Sequence, residues 1–99
     1  MTRPDRPDGV FCTTDLLACG LMDAARHRFG AAIPRDLCVI GFDDIPQTAW
    51  EAYNLTTFRQ PLDALAEAAV AALAPGAPDR THRIAPQLLW RGTVRRAGE

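Results

Sequence analysis

Lysine is absent from this 99-residue sequence, and the 11 basic side chains are all arginine. A phosphotransfer site built on the adjacent carboxylates Asp43 and Asp44 would need a nearby lysine and a second strand-end aspartate, so that chemistry is excluded. Cysteine is sparse: Cys12, Cys19 and Cys38 form an odd set of three with no CxxC spacing. That argues against a disulfide framework and a zinc site, and small thiols buried in a reducing compartment are the expectation. No apolar run approaches the roughly 18 residues of a membrane span. The opening Met1 to Asp8 has charge and proline but no apolar core of a secretory signal, so a cytoplasmic location is expected. No glycine-rich phosphate loop, GxSxG turn or Cys/His pairing occurs, and His27 has no partner at a telling spacing. No enzyme and no cofactor are expected. A net charge of −1 gives no broad electrostatic case for binding nucleic acid.

What remains is 47% hydrophobic and 23% charged, the composition of a soluble globular domain. Its most informative stretch is Cys38-Val39-Ile40-Gly41-Phe42-Asp43-Asp44-Ile45-Pro46. An apolar strand over 37–42 without polar alternation should be covered on both faces, as parallel strands are. Neither carboxylate can enter that core unpaired. Both belong at the strand's C-terminal rim, where open α/β sheets take ligands. The plainer reading is a turn-capping aspartate beside a solvated one.

Upstream, 9–13 reads as a strand. Thr14-Asp15 supplies a helix start, and a helix over 15–29 follows. Its expected inner face is Leu16, Leu17, Gly20, Leu21, Ala24, Ala25 and Phe29, linked by i, i+4 spacings. Arg26, His27 and Arg28 suit its C-terminal dipole, and Gly30 suits its end. Strand, helix and strand with a short return loop make a parallel βαβ unit. Downstream come a helical turn near 46–50 and a strand at 55–59. Pro61 then opens a second helix with Leu62, Leu65, Ala66, Ala69, Val70 and Leu73 as its expected buried face. A final strand lies within 84–90, and Arg91, Arg95 and Arg96 read as part of a solvated tail.

Four segments carry a resemblance: Asp8 to Gly20, Ile33 to Pro46, Leu55 to Pro61 and Leu88 to Thr93. In order and at near-family spacing, they resemble elements of lactose/galactose-repressor (LacI/GalR) type transcription regulators. The resemblance spans residues 7–93 and corresponds to the C-terminal third of such a regulator. It implies a periplasmic-binding-protein-like effector domain, in which two Rossmann-like lobes hold a sugar or other small metabolite. DNA is contacted through a separate helix-turn-helix headpiece, absent from these residues. The expected fold class is therefore α/β: a partial lobe with a parallel βαβ unit, followed by hinge strand, helix and closing strand. Residues 1–8 form a polar lead-in, 9–93 the sensor portion and 94–99 a tail. A homodimer is implied, and no membrane.

Carried over by motif position, Asp43 matches the aspartate that bonds ligand hydroxyls, and Gln60 a hinge glutamine within reach of the ligand. Thr14 stands where the family has a ligand-contacting asparagine; it offers one hydroxyl in place of an amide. Asp44 is expected to hold the turn. A carboxylate can accept from two vicinal hydroxyls at once, which suits a polyol, and such charge-assisted bonds are the stronger kind. The alternatives are a fragment of a sugar importer's solute-binding protein, which shares the fold, and a truncated gene remnant. Without a headpiece or a basic recognition helix, the 99 residues alone are expected not to bind duplex DNA specifically. A mobility-shift titration checks this, and a salt-sensitive shift with sequence preference would contradict it.

Overall fold

The computed structural model describes residues 5–79 and 81–97. Part of the expected lead-in (1–4) and of the expected tail (98–99) lies outside the described residues. The chain runs β1 (Gly9–Phe11), α1 (Asp15–Phe29), β2 (Cys38–Ile40), a 3-10 turn (Pro46–Ala49), β3 (Thr57–Arg59), α2 (Leu62–Ala72) and β4 (Gln87–Leu89). The strands are shorter than the apolar runs that announce them.

β1 and β2 pair in parallel, with Gly9 opposite Cys38, Val10 opposite Val39 and Phe11 opposite Ile40. Parallel bridges from Ile40 to Thr56 and from Asp43 to Arg59 bring β3 alongside β2. The supporting bonds are Gly41 N–H to Thr56 O at 3.0 Å and Asp43 N–H to Phe58 O at 2.9 Å. β4 pairs antiparallel with β3. The expected βαβ unit is therefore present, and the chain leaves β1, β2 and β3 at the same edge of the sheet.

α1 begins and ends as its sequence dictates. Thr14 Oγ1 accepts the Leu17 N–H at 3.3 Å, and Gly30 ends the helix at φ 62°, a conformation that costs glycine nothing. Its buried face, however, is not the expected one. Asp15, Ala18, Cys19, Met22 and Ala25 are buried, whereas Leu16, Leu17 and Phe29 are 69%, 60% and 55% exposed. Small residues at 18 and 25 let the helix close on the sheet. The core then comprises Cys12, Ala18, Met22, Ala25, Ala31, Leu37, Val39 and Leu55. The longer side chains rotate off to the side. Cys12, Cys19 and Cys38 are free thiols. Burial pushes the Cys12 and Cys19 thiols up, with Asp15 and Asp23 adding to the effect at Cys19. Neither is thus a thiolate at neutral pH.

Covering both faces of β2 was also expected, and only one is sealed. Val39 is fully buried toward α1. On the other side Cys38 and Ile40 are half-buried and Phe11 is 55% exposed. Phe58 makes ring contacts there with Phe11 and Phe42, at centroid distances of 6.5 and 6.1 Å.

A further correction concerns α2. The helix forms, but no residue of it is buried; Leu62, Val70 and Leu73 are 67%, 69% and 84% exposed. Its apolar stripe faces no other described element closely enough to be covered. The radius of gyration, 17.5 Å, exceeds the roughly 13 Å of a compact domain this size, consistent with an arm that stands off the packed part.

The C-terminal segment, expected to be largely solvated, is instead sewn to the sheet. Thr93 is buried, accepts the Thr56 N–H at 2.9 Å and donates to Val39 O at 2.6 Å, bridging β2 and the run into β3. Arg95 donates to the carbonyls of Pro34 and Arg35, and the Arg96 guanidinium lies 5.5 Å from the Trp90 ring centroid.

Gly41 is required by close approach. A Cβ there would lie 2.2 Å from Asp15 Oδ1 and 2.9 Å from Leu55 Cδ2. Gly41→Ala should destabilise the fold by about 1–3 kcal/mol through overpacking. The midpoint of a urea titration reads this directly.

Candidate functional site

At the shared strand edge the backbone takes an unusual course. Asp43 and Asp44 have φ of 126° and 64°, values that aspartate tolerates better than most side chains but that still cost energy. Several bonds hold this stretch. Asp43 N–H pairs with β3, as above, and Ile45 N–H donates to Asp15 Oδ2 at 3.0 Å.

Asp44 supplies the heaviest anchoring. Its Oδ2 accepts from Arg59 Nε at 2.9 Å, and its Oδ1 from Arg91 Nη2 at 3.1 Å. Thr48 Oγ1 lies 3.0 Å from the same Oδ1 and accepts from Arg91 Nη1 at 2.9 Å. Arg91 also donates to Leu55 O at 3.0 Å. Arg59 is 55% exposed and Arg91 only 20%, so solvent screens the Arg91 contact less. Asp44 thus holds the turn, and Arg91 belongs to this network rather than to a solvated tail.

Asp43 points elsewhere. Its Oδ1 accepts from Gln60 Nε2 at 2.7 Å, so the structure brings two of the three expected ligand residues into direct contact. Together with Asp44, Arg59 and the start of α2 from Pro61 to Ala64, they line an open cleft of about 570 Å³. Thr14 does not line it. The Asp15 N–H donates to Phe42 O at 3.0 Å, so Thr14 and Asp43 flank one inter-segment bond. Thr14 Oγ1 is engaged as the helix cap; its hydroxyl proton remains available to donate. Among the described residues no group of three or more His, Cys, Asp or Glu could hold a metal ion.

Reasoning from sequence missed Asp15 and Thr57. Asp15 is fully buried, and Thr57, also fully buried, donates from Oγ1 to Asp15 Oδ1 at 2.6 Å. An acidic first-turn residue reads locally as a dipole partner, and nothing in its neighbourhood in the sequence announces a contact 42 residues away. For Arg91 there was a signal: it sits inside the closing-strand segment, ahead of Gly92 and apart from the Arg95-Arg96 pair.

The profile of the periplasmic binding protein-like domain matches residues 1–95. The chain belongs to this family. Within it, an HTH-type transcriptional regulator from Streptomyces limosus is 44% identical over 91 residues, 87% of this chain and 26% of that protein. Among solved structures, a LacI transcriptional regulator from a Rhodococcus species is 33% identical, with a TM-score of 0.78, covering 94% of this chain and 35% of that one. A LacI-family regulator from Lactobacillus casei, solved with bound sucrose, is 32% identical with a TM-score of 0.71, covering 90% and 34%. The chain therefore spans about a quarter of the length of the curated relative it matches. These periplasmic-binding-protein-like relatives are transcriptional regulators. No described helix is long and apolar enough to cross a membrane.

The network around Asp44 has a pH signature. Burial works to raise its pKa, but the hydrogen bonds from Arg59, Arg91 and Thr48 together outweigh burial and hold it below the ordinary 3.8. A carboxyl depressed in the folded state contributes stability above its unfolded value and loses it as pH falls through the folded one. The contribution of Asp44 should thus be complete above about pH 4 and vanish in more acidic solution. Asp44→Asn should lower stability at pH 7 and flatten the acid limb of the stability–pH curve below pH 4. Thermal melts of both proteins across pH 2–7 measure this.

Proposed function

We propose that this chain is the effector-sensing portion of a LacI/GalR-family transcriptional regulator. It takes a sugar, or another small polyhydroxylated metabolite, in the cleft beside Asp43. The observation that carries the proposal is the Asp43–Gln60 pair, 2.7 Å apart at the strand edge and opening onto that cleft. The carboxylate accepts from ligand hydroxyls, the glutamine amide both donates and accepts, and the Thr14 hydroxyl adds a shorter reach than an amide would give. Gln60 Nε2 and Asp43 Oδ1 satisfy each other through this bond. An incoming diol would compete with Gln60 for Asp43 Oδ1 while leaving Oδ2 free to accept.

The wider reading follows from the same family membership. The relatives are regulators, which favours this role over that of a solute-binding protein of an importer. The protein acts by binding rather than catalysis, in the cytoplasm and as a homodimer. DNA contact belongs to a headpiece outside these residues.

Isothermal titration of the full-length protein against a saccharide panel including sucrose and glucose tests the proposal. Asp43→Ala should remove a charge-assisted bond worth roughly 1.5–3 kcal/mol, weakening affinity about ten- to a hundredfold. Asp43 is a rim group, but alanine is strained at its φ of 126°, so Asp43→Asn, which that backbone accepts, should weaken affinity in the same direction with the folded state retained. Unchanged affinity for the sugar bound by the unaltered protein would show that the site is misplaced.

A further inference from the structure

We infer that Asp15, which lines no part of the cleft, is a positioning residue for the effector site. This deepens the function proposed above, because what it positions is the Asp43 carboxylate.

Asp15 is fully buried, and a buried carboxylate is expensive unless its oxygens are met by donors. Here each oxygen has one: Ile45 N–H on Oδ2 at 3.0 Å and Thr57 Oγ1 on Oδ1 at 2.6 Å. Its place at the start of α1 sets the negative charge at the positive end of the helix dipole. No arginine of the described salt bridges reaches it. Gly41 completes the arrangement, since a Cβ there would occupy the space of Oδ1. The carboxylate and the glycine hydrogen share one volume.

The three bonds of this residue have one geometric result. Its backbone N–H holds Phe42, its Oδ2 holds Ile45, and its Oδ1 holds Thr57 on β3. Phe42 and Ile45 bracket Asp43 and Asp44, two adjacent positive-φ residues. Gln60 follows Thr57 by three positions along β3 and its exit. A single residue thus fixes both ends of the strained loop, the near end through its backbone and the far end through its side chain, which also ties the loop to the strand that leads to Gln60. Strained backbone persists only when its surroundings over-determine it. A role confined to core stability would require no bond to Ile45, which lies beyond the loop's far side.

Two variants of the full chain test this by amide hydrogen exchange. Asp15→Leu keeps the approximate size and removes both acceptors; Thr57→Val removes one bond and keeps the shape. Each should lose protection at Ile45 and Asp43 by about ten- to a hundredfold, while the central amides of α1 change far less. Asp15→Asn should retain most of the protection, because its amide can accept from Ile45 and donate to Thr57 Oγ1. Should Asp15→Leu fail to fold, Thr57→Val carries the test alone. An equal loss of protection throughout β1, α1 and β2 would overturn the inference, as would unchanged exchange at 43 and 45. Calorimetric titration of sucrose and glucose separates this from the function proposed above. If the unaltered protein binds neither, these two sugars are not its effector, and the exchange data still decide the positioning role. If it binds one, Thr57→Val should weaken that binding at a temperature where both proteins are folded, and unchanged affinity would again overturn the inference.

Discussion

A carboxylate sealed inside the sheet–helix junction, joined to no arginine by the described salt bridges, is the constraint around which the described structure is arranged. The two oxygens of Asp15 are met there because Thr57 and Ile45 approach from two other segments and Gly41 yields the room. The backbone bonds that set β3 beside β2 bring Thr57 within reach of this group. The threonines of the Leu55-Thr56-Thr57 run divide the work. Thr57 turns toward Asp15, whereas Thr56 turns the other way and accepts the Arg91 N–H at 3.0 Å. Buried hydroxyls thus replace apolar side chains where polar backbone and a carboxylate must be satisfied.

Much of this architecture was legible in the sequence. The helix over 15–29, the parallel pairing of the strands around it and the short turn after Pro46 all follow from local signals: a threonine cap, a glycine stop, apolar runs and proline. The faces of the helices were less legible. An i, i+4 stripe of Leu17, Leu21, Ala25 and Phe29 is a fair core pattern, but of these only Ala25 is buried, and the helix instead turns inward the face on which Ala18 and Ala25 flank Met22. For α2 the periodicity identified the helix and could not say what would cover it. Burial is a property of the neighbour as much as of the stripe.

The candidate site divides in the same way. Asp43, Gln60 and the turn-holding role of Asp44 came from motif position, and the geometry joins the first two by a direct hydrogen bond. Thr14 lies beside them but caps a helix and stays out of the cleft wall. The supporting residues were illegible because their partners are distant: Asp15 meets Thr57, Arg91 meets Asp44, and Thr93 meets Val39. A side chain that acts through a contact 40 or more residues away leaves no periodicity for a reader to find.

The left-handed backbone at Asp43 and Asp44 has a consequence for how the site can change. Only glycine, asparagine and aspartate enter that region readily, so the peptide geometry screens every substitution before chemistry does. Exchange between a carboxylate and an amide lies open at these positions, and exchange for a branched or bulky side chain does not. Variation in the lining of the cleft is therefore channelled away from the loop, toward the more ordinary backbone that carries Gln60.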